Sequence, residues 1–124
     1  EDVVPELTLA ELKNIKLADL QIAFNRYVSG SIATTQGYKM QFGELDSLKI
    51  EGSIKLMEAQ GIKTAYLTDA DNVTHYDIPL STIKAVQLEM LAAYGAAHAK
   101  KQELRTQVEV ATDKTALSAI IINF

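Results

Sequence analysis

The stretch YLTDADNVTHYDI, Tyr66 to Ile78, decides the fold, because it places two runs of strand-forming residues on either side of a polar turn. The runs are rich in Thr, Tyr, Val and Ile, which are enriched in strands. Ala70, Asp71 and Asn72 lie between the two runs. Asp and Asn accept local backbone hydrogen bonds and tolerate a positive φ, as turns require. The pattern predicts a β-hairpin with its turn at these residues.

The second arm of this hairpin carries the residues with the most chemical potential. Successive side chains of a strand point to opposite faces. Regular alternation therefore places His75 and Asp77 on one face, and Tyr76 and Ile78 on the other. We take His75 and Asp77 as candidate binding residues on this basis.

Two helices are predicted before the hairpin. Thr8 and Glu11 have the spacing of a capping box, which predicts a first helix over about residues 9–29. A second helix is predicted over about 44–60, with four apolar side chains on one face: Leu45, Leu48, Ile54 and Met57. The segment between these helices, SIATTQGYKMQF at residues 31–42, predicts short strands or an extended loop.

After the hairpin, the sequence predicts a long helix that begins near Leu80 or Ser81 and continues to about residue 111. Apolar residues recur along this helix at a 3-4 spacing, and small side chains surround Gly95. One interpretation is that this seam is domain core. The other is a self-association surface formed by Met90, Tyr94, Gly95 and Ala97. A short helix capped by Thr112 or Asp113 is expected to follow.

We expect the chain to form one α+β domain over residues 8–124, preceded by a linker over residues 1–7. The domain is expected to have a three-helix core with a long third helix, a small antiparallel β-hairpin element and a short C-terminal helix. A length of 124 residues fits a single modest core. Because the first residue is Glu1 rather than Met, we expect the chain to be a fragment or a processed product.

The composition argues against several classes of partner and chemistry. A formal charge of −4 argues against nucleic-acid binding, because nucleic-acid-binding surfaces usually gather basic residues. The chain has no cysteine, which excludes disulfides, zinc–thiolate sites and thiol nucleophiles. No apolar run approaches the roughly 18 residues that a membrane-spanning helix needs. Neither nucleic acid nor membrane is therefore expected as a partner.

The sequence predicts no metal site and no catalytic centre. An EF-hand-type loop in this stretch would need glycine at its sixth position and glutamate at its twelfth, where the sequence has Thr74 and Leu80. A transition-metal site would have to combine His75 and Asp77 with a distant ligand such as His98, which no spacing rule supports. The common nucleophile, zinc-protease and phosphate-binding motifs are missing. We expect no cofactor and no enzymatic activity, with a small hydrolase using His75 and Asp77 as the catalytic alternative.

The aromatic residues between the first two helices are a further binding candidate. Tyr38 and Phe42 lie in the irregular segment rather than at helical core positions. These two rings are candidates for lining a binding surface, with packing as the alternative. By contrast, Phe24 and Tyr27 have the spacing of core residues in the first helix.

The order and spacing of these elements resemble a family of unknown function found in bacteriophages and prophages. Its members often lie at the end of tail-fibre or tail-fibre-assembly proteins. Four segments carry the resemblance, namely DADN with the strand Thr74 to Ile78, PLSTIK, KKQELRTQVEVA and TDKTALSAI. The resemblance covers nearly the whole chain from about residue 10. Many relatives carry tryptophan in the first hairpin strand, where this chain has Tyr66 and Leu67.

The resemblance implies a non-catalytic structural or interaction module of a phage or prophage tail. The implied partners are a tail or tail-fibre protein, further copies of the chain, or both. The implied location is the virion or, for a prophage-encoded protein, the bacterial cytoplasm. The family has no assigned catalytic residues, so none is carried over. A second hypothesis is a module that binds a host-surface carbohydrate or another ligand through the hairpin and the segment from Tyr38 to Phe42.

Overall fold

The computed structural model describes residues 6–124, and this part of the chain contains four helices and four strands. The elements are α1 (Leu9–Val28), β1 (Ser31–Ala33), β2 (Lys39–Gln41), α2 (Glu44–Gln60), β3 (Thr64–Thr68), β4 (Thr74–Pro79), α3 (Leu80–Val110) and α4 (Lys114–Ser118). The predicted α+β class is confirmed, including the long third helix and the short C-terminal helix. Most of the linker predicted over residues 1–7 lies outside the described residues.

The chain divides into two compact units. The central unit comprises residues 28–96, and the terminal unit combines the described residues up to 27 with residues 97–124. Helix α3 contributes its first part to the central unit and its second part to the terminal unit. The expectation of one domain over residues 8–124 remains a prediction.

Capping residues define the helix starts of the terminal unit. The Glu11 amide donates to Thr8 Oγ1 at 3.1 Å, and the Thr8 amide donates to Glu11 Oε1 at 3.0 Å, which confirms the predicted capping box. Asp113 caps α4, because its Oδ1 accepts from the Ala116 amide at 2.7 Å. A small core cluster joins the helices of this unit: Val108, Ala111 and Leu117, with Leu9, Leu12, Leu17 and Ile120 packed against them.

One apolar cluster joins all elements of the central unit. It contains Met40, Phe42, Ile50, Ile54, Met57, Leu67, Ile78, Ile83, Val86 and Met90. Full burial of a side chain of this size contributes roughly 1.5–3 kcal/mol relative to its exposure. The cluster therefore fixes both hairpins against α2 and the first part of α3.

The segment that the sequence left between short strands and a loop forms the hairpin β1–β2. Ile32 lies opposite Met40 in this antiparallel pair, and Gly37 allows the turn with a φ of 90°. The turn is tied to α3, because the Glu89 carboxylate accepts hydrogen bonds from the amide and the hydroxyl of Thr35 at 2.8 and 3.1 Å.

The predicted hairpin is formed by β3 and β4, but β4 carries a bulge. Ala65 lies opposite Ile78 and Leu67 lies opposite His75. Two residues of β4 therefore oppose the single residue Tyr66. Asp77, one of these two residues, has a φ of 56°.

The bulge changes which side chains share a face of β4. Side chains directly opposite one another in an antiparallel pair lie on the same face. His75 and Ile78 therefore share the core-facing side of the hairpin with their partners on β3. The predicted alternation, which placed His75 opposite Ile78 and together with Asp77, is wrong because the extra residue reverses the parity of the strand.

Helix α2 also differs from its prediction in the face that it buries. The buried residues are Ser47, Ile50, Ile54 and Met57, whereas Leu45 and Leu48 are exposed. At 3.6 residues per turn, the step of nine positions from Leu45 to Ile54 places these two side chains about 180° apart around the helix axis. The prediction that these residues share one face is therefore wrong, and α2 has a second apolar face directed away from the core.

Candidate functional site

The tip of the β3–β4 hairpin holds a hydrogen-bonded histidine–aspartate pair. His75 Nε2 lies 2.8 Å from Asp69 Oδ2. An ionised carboxylate can only accept hydrogen bonds, so the imidazole donates through Nε2. The Asp69 side chain is 12% exposed and the His75 side chain 36%. The pair therefore lies at the edge of the hairpin rather than in the core.

The same aspartate organises the turn. Asp69 Oδ1 accepts from the amides of Asp71 at 2.9 Å and Val73 at 3.0 Å, as an aspartate does in an Asx turn. The hydrogen bond from His75 lowers the pKa of Asp69 below its ordinary value, and the Val73 amide lowers this pKa further. All of these donors favour the ionised carboxylate.

Contacts from the first hairpin hold this turn in place. The Ala70 amide donates to the Lys39 carbonyl at 2.8 Å, and Lys39 Nζ lies 3.3 Å from Asp71 Oδ1. The Tyr38 ring packs edge-on against His75, with 4.9 Å between ring centroids. The exposed ion pair contributes little, so the backbone hydrogen bond and the ring contact make the main connection.

The residues that the sequence grouped as a binding site have different environments. His75 contacts Asp69 and Tyr38, whereas Asp77 is exposed on the bulge. Phe42 is only 2% exposed and belongs to the core cluster, which gives its ring a packing role in place of the expected binding surface. Of the four predicted residues, the structure brings together Tyr38 and His75.

The described residues 6–124 contain no group of three His, Cys, Asp or Glu side chains placed to hold a metal ion. The second histidine that the sequence offered as a ligand, His98, packs edge-on against Phe24, with 6.3 Å between ring centroids. In the same part of the chain, no helix has both the length and the hydrophobicity to cross a membrane.

Two exposed tyrosines on the β3–β4 hairpin were missed by the sequence analysis. Tyr66 is 68% exposed and Tyr76 is 73% exposed, and their ring centroids are 6.4 Å apart. Both residues belong to the bulge, and neighbouring side chains in each strand face the core instead. The Thr- and Tyr-rich composition predicted the strands, and the rings face outward because they alternate with Ala65 and Leu67 on β3 and with His75 on β4.

A groove next to Tyr66 offers polar groups around an apolar floor. It encloses about 390 Å³ between β2, α2 and the β3–β4 hairpin. Its floor includes Met40, Ile50 and Met90, and its polar rim includes Gln41, Lys49, Ser53 and Asn72. The lining exposes more polar than apolar surface, so the groove mainly offers hydrogen-bonding groups to a ligand.

The second apolar face of α2, which we call the outer stripe, consists of Leu45, Leu48, Gly52, Leu56 and Ala59. These residues follow one another at intervals of three or four, so they lie along one side of the helix. The three leucines are 71, 58 and 56% exposed. The stripe therefore combines helical periodicity with a lack of burial.

The residues proposed for self-association on α3 are largely used in packing. Met90 is fully buried in the central unit, and Ala97 is 4% exposed in the terminal unit. Tyr94 is half-buried and Gly95 is exposed. The 3-4 seam of α3 thus contributes its apolar side chains to the cores of the two units, the first of the two interpretations that the sequence left open.

The observed elements define a small α+β protein with two antiparallel hairpins, a long helix and an apolar stripe on the outside of α2. The chain belongs to the family described as a domain of unknown function, DUF4376, which matches residues 11–122. Comparison with curated proteins and with solved structures gave no match. The family membership confirms that the chain is a domain-of-unknown-function protein, and the phage-tail context remains a prediction.

Proposed function

We propose that this chain is a non-catalytic interaction module that binds a protein partner through the outer stripe of α2. The resemblance to phage and prophage tail proteins points to a tail or tail-fibre protein, or to further copies of the chain, as the partner. It also points to the virion, or to the bacterial cytoplasm for a prophage-encoded protein, as the location.

The observation that carries this proposal is the exposure of three leucines on one side of α2. Burial of a leucine side chain contributes roughly 1.5–3 kcal/mol, and single exposed leucines are common on monomeric proteins. A periodic row of leucines is a different case, because contiguous exposed apolar patches mark interaction surfaces. Amphipathic helices dock on such patches through residues spaced as these are.

The hairpin tip supports a non-catalytic role. His75 Nε2 donates to Asp69, and both carboxylate oxygens of Asp69 accept hydrogen bonds that shape the turn. A histidine that donates through Nε2 keeps its lone pair on Nδ1, so the support for a non-catalytic role comes from the turn hydrogen bonds of Asp69. The pair is accordingly a turn-stabilising arrangement.

Co-expression with a phage tail or tail-fibre protein tests the proposal. The test variant is Leu48→Glu with Leu56→Glu, and the matched control is Leu88→Glu, because Leu88 on α3 is also 66% exposed. We expect the wild type and the control to form a complex, measured by light scattering after size exclusion, and the double variant to lose it. Equal behaviour of all three proteins would contradict the proposal.

A second candidate function is ligand binding at Tyr66, Tyr76 and the groove beside them. Exposed aromatic rings present apolar faces and polar hydroxyls, which suit the apolar faces and hydroxyl groups of a sugar. The Lys49 ammonium and the side-chain amide of Asn72 line the groove and add hydrogen-bond donors.

Titration with a panel of oligosaccharides, followed by amide chemical shifts, tests this second function. We expect shifts concentrated at Tyr66, Tyr76 and Asn72, and their loss in the variant Tyr66→Ala with Tyr76→Ala. Val73→Ala is the control, because Val73 is exposed on the same hairpin without an aromatic ring. Shifts that persist in the tyrosine variant would exclude this site.

A further inference from the structure

We infer that the partner of the outer stripe is the α2 helix of a second copy, packed antiparallel about a twofold axis at Gly52. The inference rests on the proposed function, since it identifies the partner of the same surface. It differs from the sequence hypothesis of self-association, which placed the contact on α3.

The stripe is complementary to itself under this twofold. In an antiparallel pair centred on Gly52, residues equally far before and after Gly52 face one another. Leu48 and Leu56 are each four residues from the centre, so each meets the other in the second copy. Leu45 and Ala59 are each seven residues away, so a large side chain meets a small one. Such pairing of large with small side chains fills space evenly.

Gly52 at the centre has no explanation within one copy. Glycine in the middle of a helix costs about 1 kcal/mol relative to alanine. A Cβ added at Gly52 would have no atom within 4 Å, so the fold of one copy does not require glycine at this position. A missing side chain allows a second backbone to approach closely. Because Gly52 lies on the twofold axis, each helix has a glycine at the point where the two helices cross.

The charges beside the stripe do not select the arrangement, which rests on the apolar pairs and on Gly52. Glu51 and Lys55 lie on the same flank, one turn apart, with 3.9 Å between Oε1 and Nζ. In an antiparallel pair, this flank meets the same flank of the other helix. Lys55 of the other copy then faces a position that is two residues from Glu51, which is about 3 Å along the helix axis. Glu51 of the other copy lies equally far along the axis, about 3 Å, and the Glu51 carboxylate already accepts a hydrogen bond from Gln87 Nε2 within one copy.

Engineered cysteines test the geometry, because the chain has no native cysteine. We expect Gly52→Cys to form a disulfide-linked dimer under mild oxidation. A mixture of Leu48→Cys and Leu56→Cys chains should also cross-link, whereas Leu48→Cys alone should not. The two Leu48 positions would be displaced by eight residues, about 12 Å along the axis, which exceeds the roughly 4.4–6.8 Å between Cα atoms in a disulfide. Leu88→Cys serves as the control for random collision.

The native mass of the wild type and of the Leu48→Glu, Leu56→Glu variant completes the test. We expect a dimer for the wild type and half that mass for the variant. A trimer, or cross-linking of Leu48→Cys with itself at the yield of the mixture, would overturn the antiparallel dimer. A wild-type monomer that still binds the co-expressed tail protein would overturn the dimer alone. A wild-type monomer that also fails to bind the co-expressed tail protein would overturn the dimer and the proposed function together.

Discussion

His75 donates its Nε2 hydrogen bond to Asp69, across the turn of the hairpin, and not to Asp77, two residues along the same strand. The reason is the register at the tip, which places His75 opposite Leu67 on the core-facing side of the hairpin, whereas Asp77 belongs to the bulge and is exposed. The most chemically suggestive residues of the sequence therefore form a structural pair at the tip of the hairpin. This arrangement has measurable consequences for the titration of Asp69.

Replacing His75 by alanine is expected to raise the pKa of Asp69. The hydrogen bond from His75 is the largest cause of the lowered pKa of this carboxyl, and the variant removes it. The measurement is the pH titration of side-chain carboxyl ¹³C shifts. Glu11 is the internal control, because its pKa is lowered by hydrogen bonds from Thr8 in a different part of the chain. An unchanged titration of Asp69 would contradict the observed pair.

The same pair predicts a contribution of Asp69 to acid sensitivity. In an unfolded chain the pKa of aspartate is about 3.9, and in the folded protein the pKa of Asp69 is lower. Its contribution to stability is therefore fully present above about pH 4 and is lost as the pH falls through the folded-state pKa. Asp69→Asn removes this titration, so its free energy of unfolding should fall less on acidification than that of the wild type.

Urea titrations at about pH 7 and about pH 3 give this comparison. At neutral pH the asparagine variant is expected to be the less stable protein, since it loses the charge-assisted hydrogen bond from His75. The difference in unfolding free energy between the two proteins should be smaller at the lower pH than at neutral pH. A difference that stays constant across the range would show that ionisation of Asp69 has no effect on folding.

The backbone of the bulge gives a prediction for Asp77. A φ of 56° costs an ordinary L-residue roughly 1–2 kcal/mol, and β-branched residues tolerate it least. We expect Asp77→Gly to be at least as stable as the wild type, and Asp77→Val to be less stable than Asp77→Gly by about 1–2 kcal/mol. Thermal or urea unfolding measures the order. A valine variant as stable as the glycine variant would contradict the bulge.

Much of the fold follows from periodicity in the sequence. The capping box at Thr8 and Glu11 and the bounds of α2 at residues 44–60 agree with the structure. These features depend on local chemistry, namely side-chain caps and helical spacing, which a single sequence displays directly.

The faces of β4 at the candidate site were harder to predict, because they depend on one backbone irregularity. A bulge inserts one residue without changing the composition of a strand, and it reverses the face of every later side chain. The only local sign is an aspartate, which tolerates a positive φ better than most residues. The bulge places Ile78 on the same face as His75, whereas the regular pairing of His75 with Leu67 at the tip brings its ring to Asp69.

The outer stripe of α2 illustrates a different limit. Leu45 and Ile54 both fit a helical apolar pattern, but the pattern does not indicate which side of the helix packs against the core. The buried side was determined by packing against the hairpins and α3. A helix with two apolar sides therefore needs its tertiary neighbours, or a second copy, before its faces can be assigned.

Two glycines of α2 predict opposite effects of the same substitution. Gly52 lies within the helix with open space at its Cβ position, so Gly52→Ala should raise the stability of a single copy by about 1 kcal/mol. Gly61 caps the helix with a φ of 68°, so Gly61→Ala should lower stability by about 1 kcal/mol. Urea unfolding at low protein concentration measures both. If the paired helices meet at Gly52, the alanine there should also weaken the dimer at high concentration.

Two residues of α3 test whether the 3-4 seam belongs to the core. Met90 is 0% exposed, and Leu88, two positions earlier, is 66% exposed. We expect Met90→Ala to lose about 2–5 kcal/mol of unfolding free energy, because it leaves a cavity in the central unit. Leu88→Ala should stay within about 0.5 kcal/mol of the wild type. If Met90→Ala kept full stability and instead reduced the native mass, the seam would be a contact between copies rather than the core of one.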